Sequence, residues 1–90
     1  MSKDHLNNIL YISIPEELAT EIGDFEVDPS ILLPVETAGG PEEWKSEELT
    51  WEQIIAGMLK VLAYDEENEN RPYYREFVRA VRPEVVNELT

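Results

Sequence analysis

From Trp51 onward the apolar positions Trp51, Ile54, Ile55, Met58, Leu59 and Leu62 recur at intervals of 3, 1, 3, 1 and 3. That spacing lays a single stripe along an α-helix running to about residue 63. Thr50 stands before it as an N-cap, and Gln53 takes the capping-box position. A second helix is predicted from near Pro72, with Tyr74, Phe77, Val78 and Val81 on its apolar side, and Pro83 ends or bends it. "PEVVNELT" then opens a third helical segment carrying Val85, Val86 and Leu89. It reaches Thr90 without a cap, which reads as an excised piece of a longer protein or as packing against something supplied from elsewhere. Gly57 interrupts the first helix at a cost of about 1 kcal/mol relative to Ala. A close helix crossing and simple tolerance both fit it.

The first half is patterned differently. "NILYISI", residues 8 to 14, is β-branched and aromatic and reads as a short strand or strand-like arm closed by Pro15. "PEELATEIG" outlines a short helix between Pro15 and Gly23. "DFEVDPSILLPVE" resists helix at Pro29 and Pro34, and is read as extended chain that can pair with residues 8 to 14. Gly39, Gly40 and Pro41 mark a loop, with Trp44 as a cover over the core. The class this favours is mainly α: a helix hairpin from about 50 to 82, a third helical segment, and an N-terminal extended arm or short strands. An α+β arrangement with a small two-stranded sheet is the alternative.

No internal repeat is convincing. Phe77 followed by Ala80 fits the second helix of a tetratricopeptide unit, but Ile55 stands where Trp51 would need a small residue. The run "LTWEQIIAGMLKVLAY" followed by "RPYYREFVRAV" nevertheless resembles the segment that precedes the repeats in some bacterial tetratricopeptide-repeat (TPR) proteins. The resemblance covers roughly residues 49 to 90 and implies a helical scaffold or interaction role, with no active site to carry over.

Ninety residues make one small domain, divided by pattern into an acidic arm with loops (1–48) and a helical part (49–90). Twenty acids against 7 Lys and Arg give a net charge of −13. Residues 1 to 52 hold 13 acids and 2 bases, and residues 53 to 90 hold 7 acids and 5 bases, so the net charges are −11 and −2. Such a chain is repelled by nucleic-acid backbones and by anionic membranes. Cysteine is absent, which removes disulfides, thiolate metal sites and cysteine nucleophiles. The N-terminus lacks the apolar region of a signal peptide, and no stretch approaches the ~20 apolar residues of a membrane span. The expected location is cytoplasmic.

Candidate chemistry is sparse. Counted from Asp65, oxygen side chains fall at EF-hand places through Glu67, Glu69 and Glu76. Asn70 stands where that loop needs glycine, and Pro72 stands where an amide is needed, so the stretch reads as an acidic link between helices. His5 is the only histidine, and the pairs Glu16-Glu17, Glu42-Glu43 and Glu47-Glu48 read as solvated carboxylates. No catalytic, metal or cofactor residues are assigned. Arg71, Arg75, Arg79 and Arg82 line one edge of the second helix. A solvated face, a clamp onto the acidic half and a site for an acidic partner are the three readings of this row. Trp51 and Tyr74 are expected in the core. Tyr73, off the stripe, joins the arginines as a possible partner contact.

The expected function is a non-enzymatic protein–protein interaction or scaffold module, one that can stand before a helical repeat array. Its partner is another protein, or a second copy held through residues 84 to 90. The alternative is an acidic inhibitor or nucleic-acid mimic occupying a basic site on another protein.

Overall fold

The computed structural model describes residues 8–37, 45 and 49–85. Strand β1 is Ile9–Ile12, helix α1 is Glu16–Ala19 with a 3-10 turn at Thr20–Ile22, and strand β2 is Leu33–Glu36. Two longer helices follow, α2 at Trp51–Tyr64 and α3 at Arg71–Val81. A further helical turn begins at Pro83, and Val85 packs against the core. Val86 and Leu89 lie outside the described residues, as do His5, Trp44, the 39–41 loop and the pairs Glu42-Glu43 and Glu47-Glu48.

The class is mixed α/β, which corrects the expectation of a mainly α helix hairpin beneath an arm. β1 and β2 form a two-stranded antiparallel sheet with Ile9 opposite Glu36, Leu10 opposite Val35, Tyr11 opposite Pro34 and Ile12 opposite Leu33. β2 is structural centre rather than cover. Leu33 and Val35 are 1% and 0% exposed, in one cluster with Ile54, Met58 and Val61 of α2 and with Tyr74, Phe77 and Val78 of α3. The physical reason is that two short helices present too little apolar area to close a core alone, and the sheet completes it.

Local signals explain the element ends. Thr50 Oγ1 accepts from Gln53 N at 3.3 Å while Gln53 Oε1 accepts from Thr50 N at 3.0 Å, so the capping box is formed. α3 carries Pro72 in its first turn, where no helical N–H is needed, and ends before Pro83. The first helix stops at Gly23, whose φ of +78° suits a residue without Cβ.

The ladder has a definite inside and outside. Thr37 N donates to Asn8 O at 2.9 Å, so residues 8 and 37 form a hydrogen-bonded pair. Alternation along the register then makes 10–35 and 12–33 hydrogen-bonded, and 9–36 and 11–34 not. Pro34 therefore sits where its missing N–H costs no ladder bond. Its carbonyl faces α2 and lies against Gly57, and Gln53 Nε2 donates to Glu36 O at 3.5 Å. Lys60 pairs with the Glu36 carboxylate at 2.5 Å. One face of α2, through Gln53, Gly57 and Lys60, closes the outer edge of β2.

Candidate functional site

Among the described residues the opposite edge of the sheet has no such cover. The backbone N–H and C=O groups of Ile9 and Tyr11 stand at the non-hydrogen-bonded positions and point away from β2. Among the described residues no strand pairs with that edge. An unpaired edge is a template for another extended chain. Apolar surface stands on the strand itself: Tyr11 is 40% exposed.

The link between α2 and α3 is within reach of the Tyr11 hydroxyl through Asp65 and Asn68. Asn68 Nδ2 donates to Asp65 Oδ2 at 3.4 Å, and Asn70 N donates to Asn68 Oδ1 at 2.8 Å, folding the link into successive turns. Burial pushes the Tyr11 hydroxyl pKa up and the nearby Asp65 carboxylate adds to this, against a smaller opposing effect of the Asn68 side chain. Glu66, Glu67 and Glu69 are exposed, and none has an ion pair among the described residues. The acids that match calcium spacing do not gather: among the described residues no group of three or more acidic or histidine side chains is placed to hold a metal ion.

The arginine row is divided among separate tasks. Arg71 Nη2 donates to Leu62 O at 2.9 Å, supplying a partner to an end carbonyl of α2. Its Nε is buried with no hydrogen-bond partner among the described residues. Arg82 Nη2 meets Glu52 Oε2 at 3.1 Å, in the first turn of α2. Thus α3 is tied to both ends of α2, the second tie reaching an acid of the first half. Arg79 pairs with Glu76 on its own helix at 2.9 Å, and the Arg75 side chain has no ion pair or hydrogen bond among the described residues.

Tyr73 is half-buried and engaged within the chain. Its hydroxyl accepts a hydrogen bond from Asp28 N at 3.1 Å, and its ring lies 5.6 Å from Phe25 and 6.1 Å from Phe77. Burial pushes its hydroxyl pKa up, with the Asp28 amide working against that shift and the Asp28 carboxylate with it. Tyr74 is buried at 1% exposure and donates to Leu32 O at 2.8 Å, while Trp51 packs at the rim, 5.9 Å from Phe77. The two tyrosines thus pin the extended segment 25–33 to α3.

Sequence reasoning singled out none of the edge residues Ile9 and Tyr11. The available signal was Pro34, which cannot donate and so identifies which of its sides faces away from a partner strand. Among the described residues no helix is long and apolar enough to cross a membrane. Comparison with protein-family models, curated proteins and solved structures yields no match to the chain.

Proposed function

We propose that this chain is a non-enzymatic protein–protein interaction module acting in the cytoplasm. The observation that carries this reading is the edge of β1, where among the described residues the backbone groups of Ile9 and Tyr11 meet no strand and the Tyr11 side chain is exposed. Gln53, Lys60, Arg71 and Arg82 are engaged in ties between α2, α3 and the sheet. A scaffold role ahead of a helical array fits the same fold, because the helical turn at 83–85 packs Val85 on the core.

The alternative, an acidic inhibitor of a basic site, is favoured by one observation. Glu16, Glu17, Glu21, Asp24 and Glu26 are exposed and form no ion pair among the described residues. A photo-crosslinking side chain separates the two. Placed at position 11 in the native cell, it should give discrete adducts of higher mass under the edge reading. Placed at Glu17, it should do so under the inhibitor reading. Adducts at neither position would discard the interaction module.

A further inference from the structure

We infer that the cleft between the end of α2 and the first turns of α3 receives an acidic side chain of a partner protein, its carboxylate shared by Arg71 and Arg75. The inference goes beyond the β1 edge to a second surface, and rests on the interaction reading for what carries the carboxylate.

Leu62, Arg71, Pro72, Arg75 and Glu76 line this cleft, whose volume is about 320 Å³. Arg71 and Arg75 stand four residues apart on α3, a spacing that sets two Cβ atoms about 5–6 Å from each other on one helix face. Both side chains are half-buried, and neither meets a carboxylate among the described residues. Arg71 is positioned by Leu62 O at 2.9 Å, but a carbonyl carries no charge to neutralise it. Glu76 also lines the cleft, and its carboxylate pairs with Arg79 at 2.9 Å. Like charges at this helical spacing repel, and partial burial of an unpaired charge adds to the cost. A chain with 20 acids thus holds two guanidinium groups side by side in one cleft without a counter-charge among the described residues.

The lining selects the occupant. Two cations and one anion leave a single positive charge to be met, which one carboxylate does. A phosphate dianion overshoots that charge, and the net −13 of the chain opposes the excess, as it opposes nucleic acid. Guanidinium groups bind carboxylate through charge-assisted hydrogen bonds, so the two arginines can each take one oxygen. Leu62 and Pro72 set apolar atoms beside the charge, which favours an acid flanked by apolar residues. A free organic acid shares the carboxylate but lacks those flanks.

The test follows the arginine Nε–H resonances of the full nitrogen-15-labelled chain by NMR. The probe is an acetylated, amidated leucine–glutamate–leucine tripeptide at millimolar concentration. It should shift Arg71 and Arg75 saturably and leave Arg79 in place. The leucine–glutamine–leucine tripeptide, equal in shape but uncharged, should bind about tenfold more weakly or not at all. Inorganic phosphate and hexanoate, at matched concentration and ionic strength, should each shift the pair several-fold less. Arg75→Gln should remove the response while keeping the circular-dichroism spectrum, because the Arg75 side chain makes no tie among the described residues. Arg75→Glu sets a carboxylate four residues from Arg71, and should raise the thermal midpoint as it abolishes binding. Should either variant unfold, the tripeptide comparison on the unaltered chain decides. No response to the glutamate tripeptide, or an equal one to the glutamine tripeptide, overturns the site. Hexanoate or phosphate as effective as the glutamate tripeptide overturns a partner side chain as its occupant. Adducts at position 11 in the cell alongside silent Arg71 and Arg75 would leave the interaction reading standing and remove only this site.

Discussion

The Pro34 carbonyl rests against the Cα of Gly57, in the volume that a side chain would fill. A Cβ added at Gly57 would overlap that oxygen and come within 2.9 Å of Val35 N. Both obstacles are backbone atoms of a buried strand, so neither can rotate aside. Gly57→Ala gains about 1 kcal/mol of helix propensity. Forcing apart a packed core costs typically 1–3 kcal/mol, about this range or more where backbone must move. Urea denaturation should therefore show net destabilisation. A more stable alanine variant would mean that α2 and β2 separate readily.

This contact also shows where the sequence was readable. The stripe from Trp51 to Leu62 and the Thr50–Gln53 box are local patterns, and α2 starts and ends within a residue of them. The strands carry too few residues for a period, and their pairing joins segments more than twenty residues apart. Pro34 argued for extended chain but could not reveal that its carbonyl would meet a glycine of a helix. The close helix crossing read at Gly57 is corrected: the element that approaches it is a strand, β2, through the Pro34 carbonyl. The arginine row was visible as a row. Its division among Leu62, Glu76 and Glu52 depends on how α3 lies against α2, which helical spacing does not encode.

The two ties between the helices should differ in strength. Arg71 is half-buried and its bond to Leu62 O serves a helix end; hydrogen bonds involving a charged group contribute about 1.5–3 kcal/mol. The Arg82–Glu52 pair is more open, with Glu52 77% exposed, and solvent screens such a pair so that it contributes little. Arg71→Ala should lower stability by more than Arg82→Ala. A double-mutant cycle on Glu52 and Arg82 should give a coupling energy that shrinks in high salt, whereas the Arg71 effect should persist. Equal losses from Arg71→Ala and Arg82→Ala would contradict this ordering.

Alkaline pH should unfold the protein through Tyr74 and Tyr73. Burial raises both hydroxyl pKa values above the ordinary 10.0. The folded state thus holds these protons more tightly than the unfolded chain does. Stability is fully present below pH 10.0 and falls as pH rises from there through the folded-state values. Tyr74→Phe loses the bond to Leu32 O, costing about 0.5–1.5 kcal/mol at neutral pH, and should make the alkaline decline shallower. Urea midpoints at pH 7 and above pH 10 check both effects. An unchanged alkaline slope in the variant would remove Tyr74 as a source. At the acid end the sign reverses. Ser30 holds the Asp28 carboxyl below its ordinary value, and the Glu52 backbone together with Arg82 does so for Glu52, so their contributions fade as pH drops through those lowered values.

Gln53 serves two elements at once, and a single substitution can separate its roles. Its Oε1 accepts from Thr50 N to complete the cap, and its Nε2 donates to Glu36 O at the outer edge of β2. Thr50→Ala removes the cap acceptor and should cost about 1 kcal/mol. Gln53→Glu keeps the cap acceptor and adds a charge favourable to a helix N-terminus by about 0.3–1 kcal/mol. It also deletes the donor and sets a carboxylate against a carbonyl oxygen, with the acid Glu52 next in sequence. The glutamate variant should therefore be less stable than the native chain, although glutamate suits a capping box as well as glutamine does. Thermal denaturation of native, Thr50→Ala and Gln53→Glu proteins gives the comparison. A glutamate variant as stable as the native protein would show that the bond to Glu36 contributes nothing, leaving the edge of β2 held by Gly57 and the Lys60 pair.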